Sequence, residues 1–171
     1  AAWFERCRID NRYVRVLEDS YTAQAFITTD LDANQITAFH PGAMNRAHEI
    51  PIPTDAGAKL ALIAPDGREG MLQHAAQCVA AGIPFVFDPG QGMPLFNGPE
   101  LLQFIAQADW AILNDYESQM LQERTGVSLD SLAARLRALI VTQGGNGSQI
   151  YAGGQRFDIP AVPVRTVVDP T

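Results

Sequence analysis

The chain has 171 residues, 47% hydrophobic and 18% charged, the composition of a folded domain with a sizeable core, which excludes extensive disorder. A formal net charge of -7 speaks against a nucleic-acid backbone or an anionic membrane as main partner. No apolar run reaches a membrane span, no signal-peptide pattern opens the chain, and Cys7 and Cys78 show neither a disulfide framework nor metal-ligand spacing, so a soluble cytoplasmic protein is expected.

Residues 13–17, 23–29 and 35–39 are rich in β-branched and aromatic side chains and partly alternate, which predicts strands. The turn-like Asp30-Leu31-Asp32-Ala33-Asn34 joins the last two into a small antiparallel piece. Phe39-His40-Pro41-Gly42-Ala43-Met44 then fits no regular element; Pro41 and Gly42 mark a turn, and His40 is either a ligand contact or a solvated loop histidine. After Pro53 the pattern changes. Residues 60–64 read as a buried strand, and 68–81 as a helix with Met71, Leu72, Ala75, Ala76 and Val79 at helical spacing, closed by Gly82. Cys78 falls within that pattern as a buried thiol.

Residues 83–87 make a strand running into Asp88-Pro89-Gly90, 99–107 a helix, and 110–113 a strand ending at Asn114-Asp115-Tyr116-Glu117. The next helix runs to the neighbourhood of Arg124 and stops at Gly126, and another spans 129–137. Leu139-Ile140-Val141-Thr142-Gln143-Gly144-Gly145-Asn146-Gly147 reads either as a strand delivering a hydroxyl and an open backbone to a ligand, or as a strand with a hairpin turn. Residues 148–151 and 156–159 form a hairpin around Ala152-Gly153-Gly154-Gln155, and 160–164 and 166–168 lead to Asp169.

Short strands alternating with helices predict an α/β fold of parallel βαβ units with right-handed crossovers. Ligands in such sheets collect beyond the carboxyl ends of the strands, where Asp88, Asn114, Glu117, Thr142 and the glycines stand. Asn114 and Glu117, three apart at a strand-to-helix junction, suit a phosphate and a hydrated Mg²⁺; the same spacing suits a helix N-cap with Glu117 complementing the dipole. Asp88 either orders a loop at the site or bonds its own backbone in a turn. No GxxxxGK[ST], strand-following GxGxxG, HExxH or GxSxG motif occurs, and His40, His48 and His74 share no metal-ligand spacing.

Taken in order, Asp88-Pro89-Gly90-Gln91, Asn114-Asp115-Tyr116-Glu117, Val141-Thr142-Gln143-Gly144-Gly145-Asn146-Gly147 and Val168-Asp169-Pro170-Thr171 resemble the ribokinase or PfkB family of sugar and nucleoside kinases, over nearly all of the chain. Thr28-Thr29-Asp30 and the stretch from Phe39 to Met44 are most similar to the family's bacterial adenosine and nucleoside kinases. The resemblance implies a ribokinase-like fold, a mostly parallel sheet flanked by helices in three α/β/α layers with a small antiparallel β lid. Residues 1–45 would be part of the lid and its connections, and 46–171 the nucleotide-binding body.

The implied activity is ATP-dependent, Mg²⁺-assisted, in-line phosphorylation of a hydroxyl on a small-molecule sugar or nucleoside, with adenosine one candidate. By match to the family's motifs, Asn114 contacts phosphate and Glu117 holds Mg²⁺ through water. Thr142, Gly144 and Gly147 border the nucleotide, and Asp169 and Thr171 hold a monovalent cation such as K⁺. Phe39, His40 and Met44 are substrate contacts on the lid or lid packing, and a homodimer through the lid follows by family analogy. The family's Gly-x-Gly anion hole and catalytic Asp are expected after Thr171, and its substrate-binding Asp and Gly-Gly-x-x-x-N region before Ala1, so the chain reads as a piece of a longer kinase, catalytically weak alone. The competing readings are a non-catalytic nucleotide- or sugar-binding module of the same fold, and a dinucleotide-dependent oxidoreductase, which lacks its fingerprint here.

Overall fold

The structure, a computed structural model, describes residues 2–31 and 35–166. A short helix α1 (Ala2–Arg6) precedes an antiparallel hairpin of β1 (Gln24–Thr29) and β2 (Gln35–His40), paired from Gln24↔His40 to Thr29↔Gln35. Part of its turn, Asp32, Ala33 and Asn34, lies outside the described residues. The strand expected over 13–17 does not form. Tyr13, Val14 and Val16 are exposed and Arg15 pairs instead with Glu49 at 3.1 Å; β-branched residues make a strand only where a neighbouring ladder takes their backbone.

The turn expected at Pro41 and Gly42 opens a longer 3-10 segment, Gly42–Glu49. Gly42 has φ +50 and a Cβ there would lie 2.2 Å from the Tyr21 carbonyl, whose oxygen accepts from Ala43 N at 2.8 Å. Only glycine fits so close an approach. The segment packs on the helix α2 (Arg68–Ala81), where Gly67 and Gly70 leave room for Met44 and Ala47. Side chains of α2 fasten it further: Gln73 Nε2 donates to His48 O at 2.7 Å, His74 Nε2 lies 2.8 Å from Ile50 O, and Ile52 N donates to Gln77 Oε1 at 2.8 Å.

Beyond this seam the chain alternates. β3 (Ala61–Ile63), α2, β4 (Phe85–Phe87), a 3-10 segment Gly90–Leu95, α3 (Gly98–Gln107), β5 (Trp110–Asn114), α4 (Asp115–Thr125), α5 (Leu129–Ala133) and β6 (Ala138–Thr142) follow in order. β7 (Ser148–Ala152) and β8 (Gln155–Ile159) finish a sheet of order β3-β4-β5-β6-β7-β8, parallel through β6 and antiparallel after it. Gly82 and Gly126 end α2 and α4 in the left-handed conformation, as expected. The helix expected over 129–137 stops at Ala133 because the chain tightens into i to i+3 bonds and the Arg137 N–H is taken by Asp109 O at 2.8 Å, beside the start of β5.

Sequential strand order with right-handed crossovers puts successive helices on one face of the sheet. There Ile63, Phe85, Phe87, Ala111, Leu113, Leu139 and Val141, alternate residues in register, meet Met71, Cys78, Phe104, Leu121 and Leu132. Phe87 stacks on Phe104 at 4.4 Å and Phe96 meets the same ring edge-on at 5.1 Å. Each such side chain stabilises the fold by roughly 1.5–3 kcal/mol. The intervening residues Leu62, Val86, Trp110, Ile112 and Ile140 form an apolar opposite face outside this core, and Leu62 is 60% exposed.

Candidate functional site

Continuing the alternation one step past Val86, Ile112 and Ile140 sets Asp88, Asn114 and Thr142 on that opposite face at the carboxyl edge of the sheet. Asn114 and Thr142 are direct register partners, and Thr142 pairs on its other side with Ser148. Apolar strand ends therefore give way to a polar row, the place where α/β sheets hold ligands. The Thr142 hydroxyl donates to Leu113 O at 3.4 Å. Ser148 belongs to the row and escaped the sequence reading, although it directly follows the last motif glycine.

Asn114 caps α4. Its Oδ1 accepts from Glu117 N at 2.7 Å, its own N–H donates to Glu117 Oε2 at 2.9 Å, and its Nδ2 donates to Glu117 Oε1 at 2.9 Å. The helix-cap reading of this spacing is thus realised, and it holds both side chains at the end of β5. A second Asn-x-x-Glu, Asn97 to Glu100, caps α3 in the same way, with Glu100 N to Asn97 Oδ1 at 3.0 Å and Asn97 N to Glu100 Oε2 at 3.0 Å. Its spacing is legible in the sequence. The two differ in charge: Glu100 is bound by Arg68, whereas no ion pair to Glu117 is found among the described residues.

The stretch from Leu139 to Gly147 forms the strand and hairpin turn of its second reading. It is β6 followed by a hairpin into β7, closed by Gln143 N to Gly147 O at 2.8 Å, and its turn stands beside the polar row. Its glycines differ. A Cβ on Gly144, at φ +54, would meet nothing within 4 Å, so that backbone is open to a ligand. A Cβ on Gly147, at φ +97, would lie 2.0 Å from Ile159 O, so close passage of the chain after β8 already requires glycine there.

Asp88 ends β4, its N–H donating to Ile63 O at 2.9 Å. Half-burial pushes its carboxyl above the ordinary carboxylate range, against the opposing pull of a hydrogen bond from the Gly90 backbone. The remaining candidates stand apart from the row. Phe39 and His40 are exposed at the end of β2 and, as neighbours in a strand, address opposite faces of the hairpin. Met44 is half-buried against the start of α2. Asp169 and Thr171 lie outside the described residues.

The fold has counterparts. The nucleoside kinase of Burkholderia thailandensis, in its structure in complex with inosine, superposes with a TM-score of 0.93 at 47% identity, over 99% of this chain and 56% of that one. The Methanocaldococcus jannaschii nucleoside kinase, an archaeal member of the ribokinase family, superposes with a TM-score of 0.89 at 30% identity, over 99% of this chain and 56% of that one. In sequence, the nucleoside kinase of Methanocaldococcus jannaschii is 32% identical over 154 residues, which is 90% of this chain and 50% of that protein. The chain thus spans about half the length of the relatives it matches, and its fold is ribokinase-like. The model of the pfkB family carbohydrate kinases matches residues 1–171, and the chain belongs to that family.

Proposed function

We propose that the full-length protein transfers the γ-phosphoryl group of ATP to a hydroxyl of a nucleoside, or of a related sugar, by in-line displacement. The observation that carries this reading is the polar row of Asp88, Asn114, Thr142 and Ser148 beside the uncompensated Glu117 carboxylate, in a chain 47% identical to a nucleoside kinase seen with inosine. In this reading Asn114 and Thr142 orient phosphate oxygens, and the open backbone at Gly144, with Gly147 shaping the turn, borders the nucleotide.

The donor set fits Mg²⁺. Among the described residues, the Glu117 carboxylate takes its hydrogen bonds from Asn114, and no cluster of three or more His, Cys, Asp or Glu able to cage a metal occurs. A hydrated ion sharing water with Glu117 and taking its other oxygens from phosphate needs no cage. When bound, such an ion neutralises charge on the transferring group. The monovalent-cation role of Asp169 and Thr171, with K⁺ as the ion, is part of the same proposal.

We further divide the chain into a lid with its connections, 1–45, and a nucleotide-binding body, 46–171. Phe39, His40 and Met44 are assigned to the acceptor side. Both faces of the hairpin carry exposed apolar residues, Ile27 and Phe39 on one and Phe26 and Ile36 on the other, so one can cover substrate while the other meets a second copy in a homodimer. A cytoplasmic location accords with the use of ATP. The test is a screen of the full-length protein with ATP and Mg²⁺ against adenosine, inosine, ribose and fructose, reading ADP release. Turnover of a nucleoside is expected. Saturable ligand binding without product from any of the four would favour the non-catalytic module instead.

A further inference from the structure

Asp88 is tied to β3 through its N–H to Ile63 O at 2.9 Å, and residues 89–97 lead away from it without a ladder to hold them. Pairing of β4 with β5 consists of Val86↔Trp110 and Phe87↔Ala111, whereas β5 and β6 stay paired out to Asn114↔Thr142. Sheet pairing therefore fixes Asn114 against Thr142 and the Asp88 backbone against β3, and leaves the path of the loop beyond Asp88 to other contacts. Two guanidinium groups supply them by gripping three successive carbonyls. Arg124 Nη1 donates to Pro94 O at 3.1 Å and to Phe96 O at 2.6 Å, and Arg68 Nε donates to Leu95 O at 3.3 Å.

The grip is close. A Cβ on Gly98 would lie 2.2 Å from Arg124 O, so the start of α3 rests directly on the end of α4. Met93 and Phe96, 0% and 1% exposed, anchor the loop in the core, Gly92 N and Phe96 N take the Pro89 and Met93 carbonyls, and the arginines take those of Pro94, Leu95 and Phe96. Hydrogen bonds from a charged donor are about twice as strong as neutral ones, so this contact outweighs an ordinary turn bond. α4 thereby reaches the candidate site by two routes. Its first turn carries Asn114 and Glu117, and its last turn holds the loop that begins at Asp88.

We infer that Arg124 is a positioning residue: by gripping Pro94 and Phe96 from the last turn of α4, it holds the loop that follows Asp88, whose Gly90 N–H bonds the Asp88 carboxyl, and so sets the direction of that carboxyl relative to Asn114 and Glu117. The inference rests on the kinase reading of this edge. In the full-length protein, Arg124→Met should lower kcat about tenfold or more while leaving both KM values near wild type, because a small misplacement of site groups costs catalysis more than binding. Arg124→Lys, which keeps charge and donors on a stem of similar reach, should recover most of that loss. Hydrogen exchange should quicken over residues 88–97 in Arg124→Met and stay unchanged over 114–117. Arg124→Gln serves if the Met variant does not fold. Unchanged kcat in a folded Met or Gln variant, or unchanged exchange over 88–97, overturns the inference. Absence of turnover in the wild type with every acceptor overturns the kinase reading instead, and the exchange measurement then decides whether Arg124 holds the loop.

Discussion

Glu100 and Glu117 occupy the same place in two matching helix caps, and among the described residues an arginine pairs with Glu100 and none with Glu117. Each returns a carboxylate oxygen to the N–H of the asparagine three residues before it, at 3.0 and 2.9 Å. The Arg68 guanidinium takes the other oxygen of Glu100. At Glu117 that place is held by the neutral amide of Asn114, and no cation among the described residues pairs with this carboxyl group at the edge of the sheet. This separates the capping task from the charge. Glu117→Gln keeps an acceptor for the cap and should leave the urea midpoint close to wild type, whereas Glu117→Ala should cost about 0.5–2 kcal/mol. In the full-length protein the Gln variant should bind ATP with a weakened dependence on Mg²⁺, read by calorimetry. Unaltered Mg²⁺ dependence in Glu117→Gln would reduce the carboxylate to a cap.

The two motif glycines should separate in the same manner. Gly147→Ala forces a methyl group against Ile159 O and Ala161 N and should destabilise the protein by more than about 2 kcal/mol, the sum of left-handed strain and a backbone clash. Gly144→Ala meets open space and should cost about 1–2 kcal/mol from its φ alone. Denaturant unfolding of both variants measures the difference. Equal losses would show that the chain after β8 moves aside easily.

Asp88 carries a pH signature. Its folded-state carboxyl titrates above the ordinary value of 3.8 because burial disfavours the charge. A raised value means that the protonated form favours folding: the contribution is fully present below 3.8 and is lost as pH rises through the folded-state value. At neutral pH the buried carboxylate therefore costs stability. Asp88→Asn, which keeps an acceptor for the Gly90 N–H, should raise the melting temperature at pH 7 by a few degrees at most. The gain should shrink as pH falls towards 3.8, and melting curves across that interval check it.

Thiol chemistry should distinguish the two cysteines. Cys7 is exposed, while Cys78 is fully buried and its thiol is pushed up by desolvation, so its thiolate is scarce. A disulfide reagent should label Cys7 promptly and reach Cys78 only as fast as the core opens. Mass spectrometry of the two cysteine peptides against time separates these rates.

Much of the body was legible because each parallel strand is a short apolar run bounded by Gly, Pro or Asn, and because Met71, Ala75 and Cys78 repeat at helical spacing before Gly82. What escaped depends on partners distant in the chain. Residues 13–17 have strand chemistry and no ladder to join, and the helix over 129–137 is cut short when Asp109 captures the Arg137 N–H. At the candidate site, the spacing of Asn114 and Glu117 fitted cap and ligand readings equally, since local geometry is common to both. Charge compensation by Arg68 distinguishes the two caps, and it comes from another helix. The grip of Arg124 on Pro94 and Phe96 leaves no local trace either, since an arginine near a helix end is ordinary.

Trp110 stands on the apolar sheet face opposite the core, half-buried and with the Arg137 guanidinium 5.3 Å from its ring centroid. That makes the face self-reporting. An indole beside a cation and partial solvent emits at longer wavelength than one packed among hydrocarbon, so the colour of Trp110 fluorescence, read in a Trp3→Phe background, tells whether anything lies on this face. A blue shift on going from these 171 residues to the full-length protein would be the optical mark of a second layer closing over the sheet whose rim holds Asn114 and Thr142.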